Sequence, residues 1–389
     1  MGKKKIINDP IYGLISFPFE ILYMLIDHPD FQRLRRISQM GLSHYVYPGA
    51  THSRFHHALG ALHLMTQAID TLRWKGVEIT DEEAEAVCIA ILLHDIGHGP
   101  FSHALENIIV PIAHEDISVM FMKKLNKEYN GKLSTAISIF KNSYPKPFLY
   151  QLVSGQLDMD RMDYLMRDSY YSGVAEGVIG YDRIIKMLNV VDGRLVVEEK
   201  GIYSVEKFLM ARRIMYFQVY LHKTSIVSEQ ILRLFVANYL TLKGPLQPSF
   251  AQDIKPDNMD LFLQEYRLID DTDIICLLKQ EARGNHNLLK FLASALLNRN
   301  LLSIKIQDKP FNSEIKREYS NKINLLDIPA EVKEKLPLVG VESNLAYDVN
   351  ANEIIILQKN GNTLRFAEAS NFPQIGMKKY LYYLAYPKD

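Results

Sequence analysis

Cysteine is nearly absent. Of 389 residues only Cys88 and Cys276 carry a thiol, too few for the disulfide framework of a small secreted scaffold. Cys88 sits inside an apolar run and reads as a small core residue. Long hydrophobic runs are missing too, and nothing approaches the roughly 18 consecutive apolar residues of a membrane span. The basic start, Met1-Gly2-Lys3-Lys4-Lys5-Ile6, lacks the apolar stretch of a signal peptide and the Ser or Thr at position 6 that myristoylation needs. Net charge is lacking as well. With 45 basic and 45 acidic residues the chain has no overall pull toward nucleic acid or an anionic membrane. These absences leave a cytoplasmic enzyme as the expectation, long enough for two domains or for one large domain with an appendage.

The pattern that is present is mainly helical. Thr80-Asp81-Glu82-Glu83 is a capping box opening a helix whose residues Ala86 to Leu93 are all apolar. Gly97 and Gly99-Pro100 stop it. Periodicity predicts further helices at about 56–75, 114–127, 157–168, 256–267, 271–282 and 286–298, and one long helix at about 204–240. Leu188 to Val197 reads as a hairpin around Asp192-Gly193. After about residue 320 the character changes. Asn344 to Val349, Glu353 to Leu357, Thr363 to Glu368 and Lys379 to Tyr386 read as strands, with Lys359-Asn360-Gly361-Asn362 as a turn. The expected organisation is a helical core over residues 1–320 and a small α+β C-terminal appendage over residues 321–389.

The chemistry concentrates where the greasy helix ends, at His94-Asp95-Ile96-Gly97-His98-Gly99-Pro100-Phe101-Ser102-His103. An imidazole and a carboxylate at the inner end of such a helix are costly to bury unpaired, and a divalent ion relieves that cost. Nine of the 12 histidines fall between His44 and His114. Imidazole and carboxylate suit Zn, Mn, Fe or Ni better than Ca. Two further ligands are expected, a histidine from Ser53-Arg54-Phe55-His56-His57 and an aspartate from Asp158, Asp160, Asp163 or Asp168. Spacing does not choose among them.

In this order the motifs are specific. Arg-Phe-x-His, His-Asp-x-Gly-His-Gly-Pro-Phe-Ser-His, His-Glu and Asp-x-Asp-Arg-x-Asp-Tyr together resemble the HD-domain phosphohydrolase superfamily. Within it they resemble the deoxynucleoside triphosphate triphosphohydrolases. Asn8-Asp9-Pro10-Ile11-Tyr12-Gly13, Phe31-Gln32-Arg33-Leu34-Arg35 and Tyr47-Pro48-Gly49-Ala50-Thr51-His52 add to the match, which runs from about residue 8 to about 300. The resemblance implies a mainly α, HD-domain helical core with one divalent ion (Mn, Fe, Ni, Zn, Co or Mg) held by His57, His94, Asp95 and Asp160. It implies that His98 contacts phosphate, that His103 protonates the leaving 5′-oxygen, and that His114 and Glu115 orient that site. Arg54 and Arg161 would neutralise the triphosphate. Tyr164 would stack on the sugar and exclude a 2′-hydroxyl, while Asp168 and Gln39 would take the 3′-hydroxyl. Arg212, Tyr220 and Lys223 match positions that contact phosphates and base, although core packing also accounts for Tyr216 and Tyr220.

The activity so implied is hydrolysis of a dNTP to deoxynucleoside and inorganic triphosphate, by attack of metal-activated water at the α-phosphorus. The other readings are an HD phosphohydrolase acting on another nucleotide or phosphate ester, and a non-catalytic HD module that binds nucleotide or nucleic acid. A module that had lost catalysis should lack a ligand, and none is missing. The implied partner is a nucleotide rather than nucleic acid or membrane, in a homo-oligomer.

Overall fold

The computed structural model describes residues 5–252, 254–255, 257–344, 353–370 and 379–388. A short antiparallel hairpin, β1 (Ile7–Asp9) and β2 (Gly13–Ile15), opens the chain. The helices that carry the chemistry follow as α1 (Arg54–Trp74), α2 (Asp81–Leu93), α3 (His114–Glu128) and α4 (Met159–Ser172). Then come the hairpin β3 (Leu188–Val191) and β4 (Arg194–Glu198), and the helices α5 (Ile202–Met215) and α6 (Lys223–Lys243). Among the described residues no helix is long and apolar enough to cross a membrane.

Local chemistry explains these elements. Thr80 and Glu83 cap α2 reciprocally, with Glu83 N–H on Thr80 Oγ1 at 3.1 Å and Thr80 N–H on Glu83 Oε2 at 2.9 Å. Residues 86–93 of that helix are buried on all sides, so its C-terminal end is carried into the middle of the core. At the β3–β4 turn, Asp192 and Gly193 both have positive φ, 49° and 73°, as a two-residue hairpin loop of the primed type requires. Helices at Met259–Tyr266, Asp271–Glu281 and Asn287–Leu297 follow where periodicity places them, and a further helix that it does not mark, Ser313–Leu325, runs across the boundary expected at residue 320.

Two expectations are corrected. The single long helix at 204–240 is two helices. A π-helical turn at Tyr216–Tyr220 follows α5, and the chain breaks at His222, whose side chain accepts from Thr224 N–H and caps α6. The strand expected to run to Glu368 stops at Arg365, and Phe366–Ala369 is a helical turn that buries Phe366. The strand expected at 344–349 lies, beyond Asn344, outside the described residues.

Two strands that periodicity does not delimit complete a sheet around the strand expected at Lys379 to Tyr386. β5 (Ser303–Gln307) and β6 (Leu338–Asn344) flank β9 (Lys379–Tyr386) antiparallel. Between them in sequence, β7 (Ile355–Leu357) pairs antiparallel with β8 (Thr363–Arg365) and parallel with β4. One continuous apolar core runs from Ile15 through α1 and α2 to Ile356, Phe366 and Ala385.

Candidate active site

The ends of α1, α2 and α4 meet at one point. His57 from α1, His94 and Asp95 from the end of α2, and Asp160 from α4 all turn their polar atoms there. His57 Nε2 lies 3.1 Å from Asp160 Oδ1, 3.4 Å from His94 Nε2 and 3.6 Å from Asp95 Oδ2. His94 Nε2 lies 3.5 Å from Asp160 Oδ1 and 3.4 Å from Asp95 Oδ1. The neighbours do other work. His56 turns back so that its Nδ1 meets Ser53 and caps α1, and Asp158 caps α4 by accepting from Arg161 N–H at 2.7 Å.

This donor set fits a divalent ion. His94 Nδ1–H donates to Ile91 O at 2.6 Å, and His57 Nδ1–H donates to Asp163 Oδ2 at 2.8 Å. Both rings are thereby oriented with Nε2, the nitrogen left to bind a metal, facing the two carboxylates, the arrangement that orients metal-binding histidines. Burial opposes ionisation of Asp95, but Arg54 and the neighbouring imidazoles outweigh it and hold the carboxyl well below its ordinary range. Burial also opposes a charge on His57, yet Asp160 and Asp163 push it up to about 10. Buried carboxylates and imidazoles crowded in this way call for a cation.

Beside this point stand His98, His103 and His114. Their ring nitrogens are close, but His98 and His114 are stacked, 3.7 Å between centroids and 21° between planes. In-plane lone pairs on near-parallel rings cannot converge on an ion about 2 Å from each, so the trio is not a second metal site. Instead, Glu106 accepts Nδ1–H from His103 at 2.8 Å and Nδ1–H from His114 with its other oxygen. The two imidazoles hold Glu106 well below the ordinary carboxylate range. Glu115 stands largely in solvent, 3.4 Å from His114 Nδ1. Burial, with Arg54 adding to it, keeps His98 neutral.

The loop carrying these histidines is held from several sides. Arg33, 1% exposed, donates to Ile96 O at 2.8 Å and His98 O at 2.6 Å. Phe101 and Ser102 lie in the left-handed region, φ 54° and 55°, and Asp271 receives Phe101 N–H at 2.7 Å. A methyl group on Gly97 would stand 2.1 Å from His114 O, so only glycine lets α3 approach this closely.

On the other side, Asp160, Tyr164 and Asp168 share one face of α4. Asp168 accepts from Tyr220 O–H at 2.6 Å and meets His52 Nε2 at 2.7 Å. Tyr164 and Tyr220 pack edge to face at 6.3 Å. Among the described residues, Gln39 Oε1, Arg161 Nε and Arg212 Nε are buried and have no hydrogen-bond partner. Arg161 pairs with Asp158, and Arg212 donates to Gln156 at 3.3 Å. Arg54 spans Asp95 and Ser102. Lys223 is not brought to this wall. It is exposed at the start of α6 and lines another cavity of about 360 Å³ with Arg299, Ser303, Tyr386 and Lys388. The break at His222 is the cause, because it turns Lys223 out of the line of Arg212 and Tyr220.

The sequence assigns no role to Glu106, His52 or Arg33, and Asp163 enters there only as one of four candidate metal ligands, not as the partner of His57 Nδ1. Asp163, Arg33 and His52 lie within the motifs named above, and nothing in spacing marks Glu106.

Comparison with known proteins agrees with this architecture. The HD domain family matches residues 54–168, and the HD associated region matches residues 179–335. The crystal structure of a phosphohydrolase from Bacteroides thetaiotaomicron VPI-5482 superimposes with a TM-score of 0.91 at 46% identity, covering 99% of this chain and 100% of that one. The YwfO protein of Bacillus subtilis (strain 168) is 35% identical over 239 residues, 60% of this chain and 55% of the relative. Deoxynucleoside triphosphate triphosphohydrolase SAMHD1 of Bos taurus is 28% identical over 401 residues, 90% of this chain and 66% of the relative. The chain spans about half the length of the first curated relatives it matches. It belongs to the HD-domain phosphohydrolase family.

Proposed function

We propose that the chain is a divalent-metal phosphohydrolase that cleaves dNTPs to deoxynucleoside and inorganic triphosphate. One observation carries this reading: the His57–His94–Asp95–Asp160 cluster lies between a wall of imidazoles and a wall made by Tyr164, Asp168 and Tyr220. The first wall suits phosphate and the second suits a sugar.

A divalent ion bound by the four side chains would supply Lewis acidity and a nucleophilic water at neutral pH. His98, neutral and buried, and Arg54 offer donors to phosphate oxygens, and Arg161 extends that positive edge. His103, with Nδ1–H fixed on Glu106, can carry a second proton at Nε2 for the leaving 5′-oxygen. His114 shares the same carboxylate and keeps it in place. The Tyr164 ring limits room beside the sugar, while Asp168 and the unpartnered Gln39 Oε1 accept from its hydroxyl. The SAMHD1 relatives are named as dNTP triphosphohydrolases, which supports this substrate class.

The test is incubation with each dNTP and NTP across Mn, Mg, Fe, Co, Ni and Zn, with products separated by chromatography. Release of triphosphate from deoxynucleotides is expected. Orthophosphate or pyrophosphate would place the chain with other HD phosphohydrolases, and a preference for ribonucleotides would contradict the role of Tyr164. Replacing His94 and Asp95 by Ala together should abolish both metal binding and turnover, as read by elemental analysis beside the assay.

A further inference from the structure

A chain of buried charges runs from the N-terminal hairpin to the metal-facing histidine. At the β1–β2 turn Asp9 Oδ1 accepts Ile11 N–H at 2.9 Å and Tyr12 N–H at 3.0 Å. Its other oxygen, Oδ2, pairs with Arg167 Nη1 at 2.9 Å. Arg167 turns the rest of its fork onto Asp163, with Nε on Oδ2 at 2.9 Å and Nη2 on Oδ1 at 3.0 Å. Asp163 Oδ2 in turn receives His57 Nδ1–H at 2.8 Å. Asp9 is 7% exposed, and Arg167, Asp163 and His57 are fully buried, so water screens none of these steps. Tyr12 covers the guanidinium, its ring centroid 5.7 Å from the Arg167 carbon.

We propose that Asp9 is a positioning residue for His57, acting through Arg167 and Asp163 to strengthen its grip on the divalent ion. This rests on the metal-centre reading above. The effect is one of charge. Two carboxylates around one guanidinium leave a net negative trio facing the His57 Nδ1–H. An acceptor of that kind orients the ring and makes the opposite nitrogen a better donor to metal. With Asp9 neutralised, Arg167 and Asp163 form a neutral pair, and Asp163 is drawn toward the guanidinium and away from the imidazole. The hairpin is thereby tied to metal affinity without touching the ion.

Asp9→Asn isolates the effect. The asparagine oxygen still accepts the two turn N–H groups, while its amide opposes Arg167. The experiment measures Mn²⁺ affinity of the full chain by competition with a fluorescent chelator, alongside thermal unfolding of the metal-free protein. The expected result is a loss of affinity of at least about threefold, a floor set below the roughly 10–100-fold typical of groups bonded directly to a metal-bound histidine because Asp9 acts through two intervening residues, with the metal-free unfolding midpoint little changed. The double variant Asp9→Asn with Arg167→Met restores a net negative Asp163 and should bind more tightly than Asp9→Asn alone; a merely structural role predicts weaker binding still. A loss below threefold overturns the proposal, as does a double variant no better than the single one. If Asp9→Asn does not fold, Asp9→Ser keeps an oxygen for the turn and repeats the measurement. Failure of both to fold also overturns it, because the hairpin would then need the Asp9 charge for stability. If the unaltered protein binds no Mn²⁺, the metal-centre reading fails instead.

Discussion

At Gly60 one missing methyl decides whether the network behind the site can close. A Cβ there would stand 2.0 Å from Asp163 Oδ1 and 2.2 Å from Arg167 Nη2, with neither buried group free to yield. Gly60→Ala should therefore cost about 3 kcal/mol, from overpacking and a disturbed buried ion pair; chemical denaturation of the metal-free protein is the check, and unchanged stability would contradict the account. The second residue to test is Glu106. A glutamine there has one acceptor oxygen for two Nδ1–H donors, so Glu106→Gln should lower kcat by about 10²-fold with little change in KM. A rise in KM at unchanged kcat would instead place Glu106 in substrate binding. Sequence reasoning reaches the histidines of this loop and gives the orienting role to His114 with Glu115, without Glu106, the carboxylate that bridges His103 and His114. Glu106 meets both rings only because Phe101 and Ser102 adopt left-handed backbone, which reverses the chain just before His103. No spacing rule anticipates two such residues in succession.

Elements whose period matches their burial were legible in advance. The face of α4 that carries Asp160, Tyr164 and Asp168 follows from steps of four residues, and the α2 capping box from Thr80 and Glu83. The break between α5 and α6 was not legible, because Leu, Ile, Met and Tyr continue through it and the cap is a histidine. α6 also carries a liability that burial explains. Its Glu229 packs beside Gly41, and Glu342 on β6 faces it, while Arg233 one turn on donates to Ala104 O at 3.0 Å. Burial and then the Glu342 charge push Glu229 up to about 8, with Arg233 opposing. A carboxyl raised in the folded state binds its proton more tightly there than in the unfolded chain. Stability therefore falls as pH rises from the ordinary carboxylate range toward about 8. Glu229→Gln should stabilise the protein by on the order of 2 kcal/mol at pH 8 and by much less at pH 5. Denaturant titrations at the two pH values check this, and an equal effect at both would remove the charge from the explanation.

At the scale of the whole molecule, what sequence reasoning could not see was pairing between distant segments. Strands in the C-terminal part were expected, but not that Ser303–Gln307 would be one of them or that β7 would join the β3–β4 hairpin. A parallel pair such as Val197 with Ile356 leaves no local signature, since its two sides lie far apart in sequence. That pairing has a thermodynamic consequence. Ile356 and Phe366 are buried in the same core as α1 and α2, and β9 lies between β5, which precedes residue 321, and β6, which follows it. A chain of this length often unfolds in stages, but staged unfolding needs a boundary that few buried contacts cross. Here Ile356, Phe366 and Ala385 would have to leave the core for the C-terminal segment to detach. Metal-free protein should accordingly show one calorimetric transition, with the van't Hoff and calorimetric enthalpies in agreement. Deletion of residues 353–389 should lower the unfolding midpoint of the helical part rather than leave it intact. Two resolved transitions, or a truncated chain as stable as the full one, would mean that the C-terminal strands rest on the helical core without sharing it.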